Sequence, residues 1–269
     1  MQWRLIAYEV NDFFENMAID EAIFLEASSG KVPPTLRFYG SSPAAVSIGY
    51  FQDIKKEVNI GECNKRNIGI VRRITGGKAV FHCDEITYSV AVSKPDKMFP
   101  ADIAGTYHII SKCIVRGLAG LGIEAYLAED KRMQPAGHYK SCCFSMPSKN
   151  ELLVDERKIC GSAQIRKKDG FLQHGSLLLN FSAQDTASLL LPRRSLEQIE
   201  DLNKAVTAIN DELTAPLETR EICRALENGF ANELGIELAA GDLSAAEKSL
   251  KKSLAEKYKS SSWNLEGKK

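Results

Sequence analysis

The chain lacks what several function classes need. Its 35 lysines and arginines equal its 35 aspartates and glutamates over 269 residues. No basic excess invites a nucleic acid, and no long-range field dominates the surface. Apolar runs such as Leu189 to Leu191 fall far short of a membrane span. Arg4, Glu9 and Asp12 interrupt the apolar residues of the N-terminus, so no signal-peptide core can be drawn there and the cytoplasm is expected. Histidines number four, and none of the seven cysteines (63, 83, 113, 142, 143, 160 and 223) stands in C-x-x-C spacing. A structural zinc site is therefore not expected, and a chain without an export signal keeps its thiols reduced. Most of those thiols behave as small hydrophobes, and one among them is a candidate nucleophile.

What is present is an ordinary globular composition, 44% apolar and 26% charged, sufficient for a core. Apolar spacing predicts a helix over 16–27, with Ala18, Ala22 and Leu25 on one face and Gly30 as a stop. Strand patterns follow at 35–39, 45–48, 69–74, 79–83 and 87–93. A second helix is expected over 102–119 and a short strand over 124–127. Residues 128–150 are polar and aperiodic, hold Pro135, Gly137 and Pro147, and carry Cys142 and Cys143. A loop of that length in a compact domain is usually functional or disordered. Strands are expected again at 151–154, 158–166 and 171–181, then helices at 183–191, 195–212, 217–234 and 244–258. The last is rich in lysine and reads as a solvated helix or a frayed tail. The order of elements indicates an α+β class, with mixed or antiparallel sheets flanked by helices.

Residues 72–82, Arg72-Arg73-Ile74-Thr75-Gly76-Gly77-Lys78-Ala79-Val80-Phe81-His82, are the most unusual stretch. Paired glycines after a strand let backbone approach a partner closely. Gly-Gly alone would mark a hairpin turn, and neither the phosphate-loop nor the dinucleotide pattern is met. Read together with Asp84-Glu85-Ile86-Thr87-Tyr88-Ser89, however, the stretch resembles the signature of the lipoate/biotin protein ligase and octanoyltransferase superfamily. Further matching segments are Asn16–Ala22, Phe38-Tyr39-Gly40, Ser47–Gln52, Cys143-Phe144, Arg157–Gln164 and Leu172–Ser176. The chain is most similar to the cysteine-dependent octanoyl-[acyl carrier protein]:protein N-octanoyltransferases of the Bacillus type, over about residues 3 to 180.

That resemblance implies a catalytic domain of the biotin/lipoate protein ligase type over 1–240. Residues 241–269 would be a charged helix or tail within it or appended to it. It implies that Cys143 takes the acyl group and that Lys158 lowers the thiol pKa. Arg73, Thr75, Gly76, Gly77, His82, Gly161, Ser162 and Ala163 would border the substrate. His82 has an equally good reading as a histidine bonded within the sheet. Cys142 and Cys143 are adjacent, so on extended chain only one can face Lys158. Cys160 would share the face of Lys158 on a regular strand, and is read as packing.

No resident cofactor or metal is implied, because the octanoyl group arrives on the phosphopantetheine arm of acyl carrier protein. The acceptor would be a lysine of a lipoyl-domain protein such as the glycine-cleavage H protein, and the enzyme a monomer that engages neither nucleic acid nor membrane. Three other readings remain. They are an ATP-dependent lipoate–protein ligase, an amidotransferase that moves octanoyl between lipoyl domains, and a binding module with an idle pocket.

Overall fold

The computed structural model describes residues 1–94, 98–128, 151–190 and 195–267. In chain order the elements are β1 (Gln2–Asn11), α1 (Phe13–Ser28), β2 (Thr35–Ser41), β3 (Ala45–Ile48), α2 (Ile54–Glu57), α3 (Ile60–Lys65), β4 (Gly69–Arg72), β5 (Val80–His82) and β6 (Glu85–Ser93). Next come α4 (Ile103–Ala119), β7 (Tyr126–Leu127), β8 (Leu152–Val154), β9 (Arg157–Lys167) and β10 (Gly170–Leu178). The chain continues through α5 (Ala183–Leu190), α6 (Leu196–Ala205), α7 (Ile209–Glu212), α8 (Thr219–Leu234), β11 (Glu237–Ala240), α9 (Ala245–Lys259) and α10 (Ser261–Asn264).

Eight strands form a mixed sheet in the order β11-β1-β2-β6-β10-β9-β8-β7, and β4-β3-β5 form a second, small sheet. The first two pairings, β11 with β1 and β1 with β2, are parallel; from β2 to β7 every pairing is antiparallel. Successive strand residues point to opposite faces. On β6, Val90 and Val92 therefore join α4 and α8, through Ile110, Ile114, Leu226 and Phe230, while Ala91 joins Ile19, Ile23 and Phe24 of α1. With both faces covered, β6 reads as a nearly continuous apolar run.

The helix α1 starts at Asp12, whose carboxylate accepts the Glu15 N–H at 2.7 Å, the usual N-cap arrangement. That cap precedes the first residue expected from periodicity alone. Asn16 and Asp20 lie one turn apart on the buried face. Arg37 on β2 donates to Asp20 at 2.8 Å and to Asn16 Oδ1 at 2.6 Å, and the Tyr39 hydroxyl donates to Asp20 at 2.8 Å. A buried carboxylate held by both of these donors is satisfied rather than stranded.

Three expectations change. The single helix over 195–212 is two helices, α6 and α7, because the chain straightens at Val206 and Thr207. Val206 bridges Lys158 in a parallel sense, and the Thr207 N–H donates to the Lys158 carbonyl at 2.9 Å. The strand expected over 171–181 ends at Leu178, where Leu179 N–H turns to the Asp84 carbonyl. The lysine-rich helix is not a solvated tail: α9 packs on α1, with Tyr258 buried and Lys251 and Lys257 paired to Glu15 and Glu21 at 2.7 Å each. Among the described residues no helix is long and apolar enough to cross a membrane.

Candidate active site

Residues of β5 in the small sheet and of β9 and β10 in the large one line a cavity of about 410 Å³. Its walls include Phe13, Ala79, Val80 and Ala163, and its polar groups include Arg73, His82, Glu151, Lys158 and His174. Residues from α1, both sheets and the loop between β4 and β5 converge on it.

The Gly-Gly loop is fixed from several sides. Tyr50 N–H donates to the Thr75 carbonyl and Arg73 N–H to the Ile48 carbonyl, both at 2.9 Å. Gly77 takes φ of 86°, a left-handed backbone suited to glycine. Gly49 lies so close that a Cβ on it would sit 2.1 Å from the Gly77 carbonyl oxygen. The paired glycines thus serve a close approach between two turns as well as a cavity wall.

Arg73 is buried and, among the described residues, donates only to neutral acceptors: Ser47 Oγ, the Gly76 carbonyl at 3.0 Å and the Lys78 carbonyl at 2.9 Å. Loss of hydration pulls its guanidinium down to about 10. Ser47 Oγ also meets His82 Nε2 at 2.6 Å, and His82 Nδ1 meets Glu85 Oε1 at 2.6 Å. Arginine only donates. With the ring neutral, Nδ1–H therefore goes to Glu85, Nε2 accepts from Ser47, and Ser47 accepts from Arg73. Thr87 and Ser176 hydroxyls donate to the same Glu85 oxygen at 2.7 and 3.1 Å. Both nitrogens of His82 are engaged, which makes it an anchor for Arg73 that also borders the cavity.

A second histidine does the same for Thr75. Burial lowers the His174 pKa, while its bond to Asp20 works against that shift. The neutral ring gives Nδ1–H to Asp20 at 3.2 Å and accepts the Thr75 hydroxyl at Nε2 at 2.8 Å. Neither Ser47, Glu85 nor His174 was among the residues assigned to the site by sequence, although all three stand in the matched motif segments.

Lys158 enters the cavity from β9. Its Nζ is 2.5 Å from Glu151 Oε1, with both side chains about nine-tenths buried. Glu151 carries no sequence signal of its own. The register between β8 and β9 shifts at this point: Leu153 faces Lys158 but Leu152 faces Cys160, so Ile159 is an extra residue. In consequence Lys158 borders the cavity while Cys160 joins the core. Gly161 follows, and a Cβ there would lie 3.1 Å from Lys158 Cε. Ser162 is held by the Tyr88 hydroxyl at 2.7 Å through Oγ and by Tyr107, which donates to its carbonyl at 3.0 Å.

The sequence-assigned residues Arg73, Gly77, His82, Lys158, Gly161, Ser162 and Ala163 all border this one cavity, and Thr75 and Gly76 lie in the same loop. Cys142 and Cys143 lie outside the described residues. None of the five described cysteines borders the cavity. Burial pushes the Cys160 and Cys223 thiols up to about 12 and that of Cys63 to about 11, far from reactive thiolates.

Comparison with known proteins agrees with this layout. The lipoyl protein ligase A/B catalytic domain family matches residues 12–231. Octanoyltransferase LipM of Brevibacillus brevis is 40% identical, with 98% of this chain and 99% of the relative covered. The protein of the same name from Bacillus subtilis is 42% identical over 93% and 92%. Among solved structures, a lipoate-protein ligase A bound with ATP superposes with a TM-score of 0.81 at 27% identity, covering 98% of this chain and 99% of that one. A bi-partite lipoate protein ligase from Thermoplasma acidophilum gives 0.83 at 26% identity, covering 100% and 98%. The chain belongs to the lipoyl protein ligase A/B catalytic domain family, in its group of octanoyltransferases.

Proposed function

We propose that the chain moves an octanoyl group from acyl carrier protein, through a thioester on Cys143, to a lysine of a lipoyl-domain protein such as the glycine-cleavage H protein. The observation that carries this reading is the meeting of an apolar slot and the Lys158 ammonium in one cavity. An eight-carbon chain gains on the order of 5 kcal/mol from burial in such a slot, at about 0.8 kcal/mol per methylene. The carbonyl end then meets the polar groups. All five described cysteines stand away from the cavity, which favours a thiol from the Cys142-Cys143 pair.

In the first step the Cys143 thiolate forms a bond to the thioester carbonyl carbon, and the phosphopantetheine sulfur departs with its electron pair. One thioester replaces another, so no ATP is required. In the second step the acceptor amine forms the amide bond and the Cys143 sulfur leaves. That amine has an ordinary pKa of about 10.4 and loses its proton to the departing Cys143 thiolate. A cation beside the thiol favours its ionised form. Lys158 plays that part, with its ammonium oriented by Glu151.

The test is incubation with octanoyl-acyl carrier protein in the absence of ATP, followed by intact mass spectrometry. Wild type and Cys142→Ser gain a hydroxylamine-sensitive octanoyl adduct, and Cys143→Ser gains none. An adduct that forms only from free octanoate with ATP assigns the chain to ligase chemistry and overturns the transfer mechanism.

A further inference from the structure

Arg72, next to the cavity residue Arg73, is tied to a segment beyond residues 12–231. Its Nε donates to the Trp263 carbonyl at 3.2 Å, and its Nη2 to the Asn264 carbonyl at 3.3 Å. Its Nη1 reaches the carbonyls of Gly49, Tyr50 and Gln52 at 3.2, 3.0 and 2.8 Å. The guanidinium is thus spent on five neutral backbone acceptors. Burial lowers its pKa, and it has no ion-pair partner among the described residues.

Arg72 also lies on the open edge of the small sheet, where β4 pairs with β3 alone. An edge strand leaves backbone groups unpaired. Two side chains of α10 stand in for the missing strand. Asn264 Oδ1 accepts the Arg72 N–H at 2.9 Å, and Trp263 Nε1 donates to the Arg72 carbonyl at 2.8 Å. Asn264 is itself held by the Tyr258 carbonyl, which its Nδ2 approaches to 2.5 Å.

We infer that Trp263 and Asn264 are positioning residues of the acyl site, acting through Arg72 to set where Arg73 and Gly77 stand. The route is short. Arg72 grips the Gly49 carbonyl, and Gly49 abuts the Gly77 carbonyl, with room for no Cβ between them. One residue further along the chain, Arg73 reaches into the loop through the Gly76 and Lys78 carbonyls. The segment 260–267 is therefore the outer brace of the wall against which the acyl chain lies. This inference deepens the proposed acyl transfer and rests on it.

The experiment compares wild type with Trp263→Phe, which keeps an aromatic ring and loses the N–H, and with Asn264→Ser. Specificity constants are measured for hexanoyl, octanoyl and decanoyl thioesters of acyl carrier protein. Displacement of the wall by about one methylene's depth changes the preference for octanoyl about fourfold. A shift of that order in the ratios, in both variants, is the expected result. The ratios do not depend on what fraction of a variant is folded. Uniform loss across the three lengths, partial or complete, overturns the inference, because a merely structural role lowers all three alike. A wild-type enzyme that transfers no octanoyl removes the transfer reading instead.

Discussion

The sharpest test of the lysine's placement is the substitution Gly161→Ala. A Cβ at that position would lie 3.1 Å from Lys158 Cε and 3.2 Å from its Nζ. Carbon atoms rest at about 3.5 to 4.0 Å, so the lysine has to yield by roughly half an ångström. It has little room, because Glu151 holds Nζ at 2.5 Å and Thr207 and Val206 fix its backbone. Overpacking of this kind costs about 1–3 kcal/mol of stability, which the fold can bear. Misplacement by 1 Å can cost about a hundredfold in rate, so half of that corresponds to about tenfold. The assay is single-turnover acylation by octanoyl-acyl carrier protein, followed by intact mass, with a thermal melt as control. The companion variant is Gly61→Ala on α3, away from the cavity, whose Cβ would meet only Asn59 Oδ1 at an ordinary 3.7 Å; its rate should stay near wild type. A wild-type rate in Gly161→Ala, or equal loss in both variants, would refute the claim that the position of Lys158 matters.

Two further outcomes are expected. Lys158→Ala should shift the pH profile of acylation to the alkaline side, since the thiol reverts toward its ordinary value of about 8.5; an unchanged profile removes Lys158 from that role. His174 has its folded pKa lowered by burial, so the unfolded chain binds the proton first as the pH falls. Stability is then full above the unfolded value of about 6.5 and declines below it. Asp20, also lowered, adds a loss of the same sign at more acid pH. Melting temperature against pH should fall less steeply between about pH 6.5 and 5 in His174→Gln than in wild type, and equal slopes would count against the anchor.

The parts legible in the sequence were those with a clean period or a close motif. The helices α4 and α8 and the strands β2, β3 and β6 follow their apolar spacing to within a few residues. The first strand does not. β1 is flanked by parallel partners on both sides, and its register to β2 shifts between Ile6 and Glu9, so no alternation marks it. β11 has only four residues, two of them alanine, and is a strand because β1 offers an edge. The break at Val206 is likewise tertiary, made by pairing with Lys158. In the site, the motif residues were found and their supports were not. Ser47 and Glu85 stand inside matched segments, but their bonds to His82 join separate strands, and Glu151 meets Lys158 across a hairpin; no local pattern encodes such pairings.

The extra residue in β9 has a consequence for reading such motifs. Along an even strand, positions three apart look out from opposite sides of the sheet. Lys158 and Gly161 are three apart and nevertheless attend the same hollow, because Ile159 advances the phase by one. The Lys-x-x-Gly spacing is thus an imprint of the bulge. Without Ile159 the strand would be even, with Lys158 still opposite Leu153 and Cys160 opposite Leu152, and the same hollow would call for a lysine two places before the glycine instead of three.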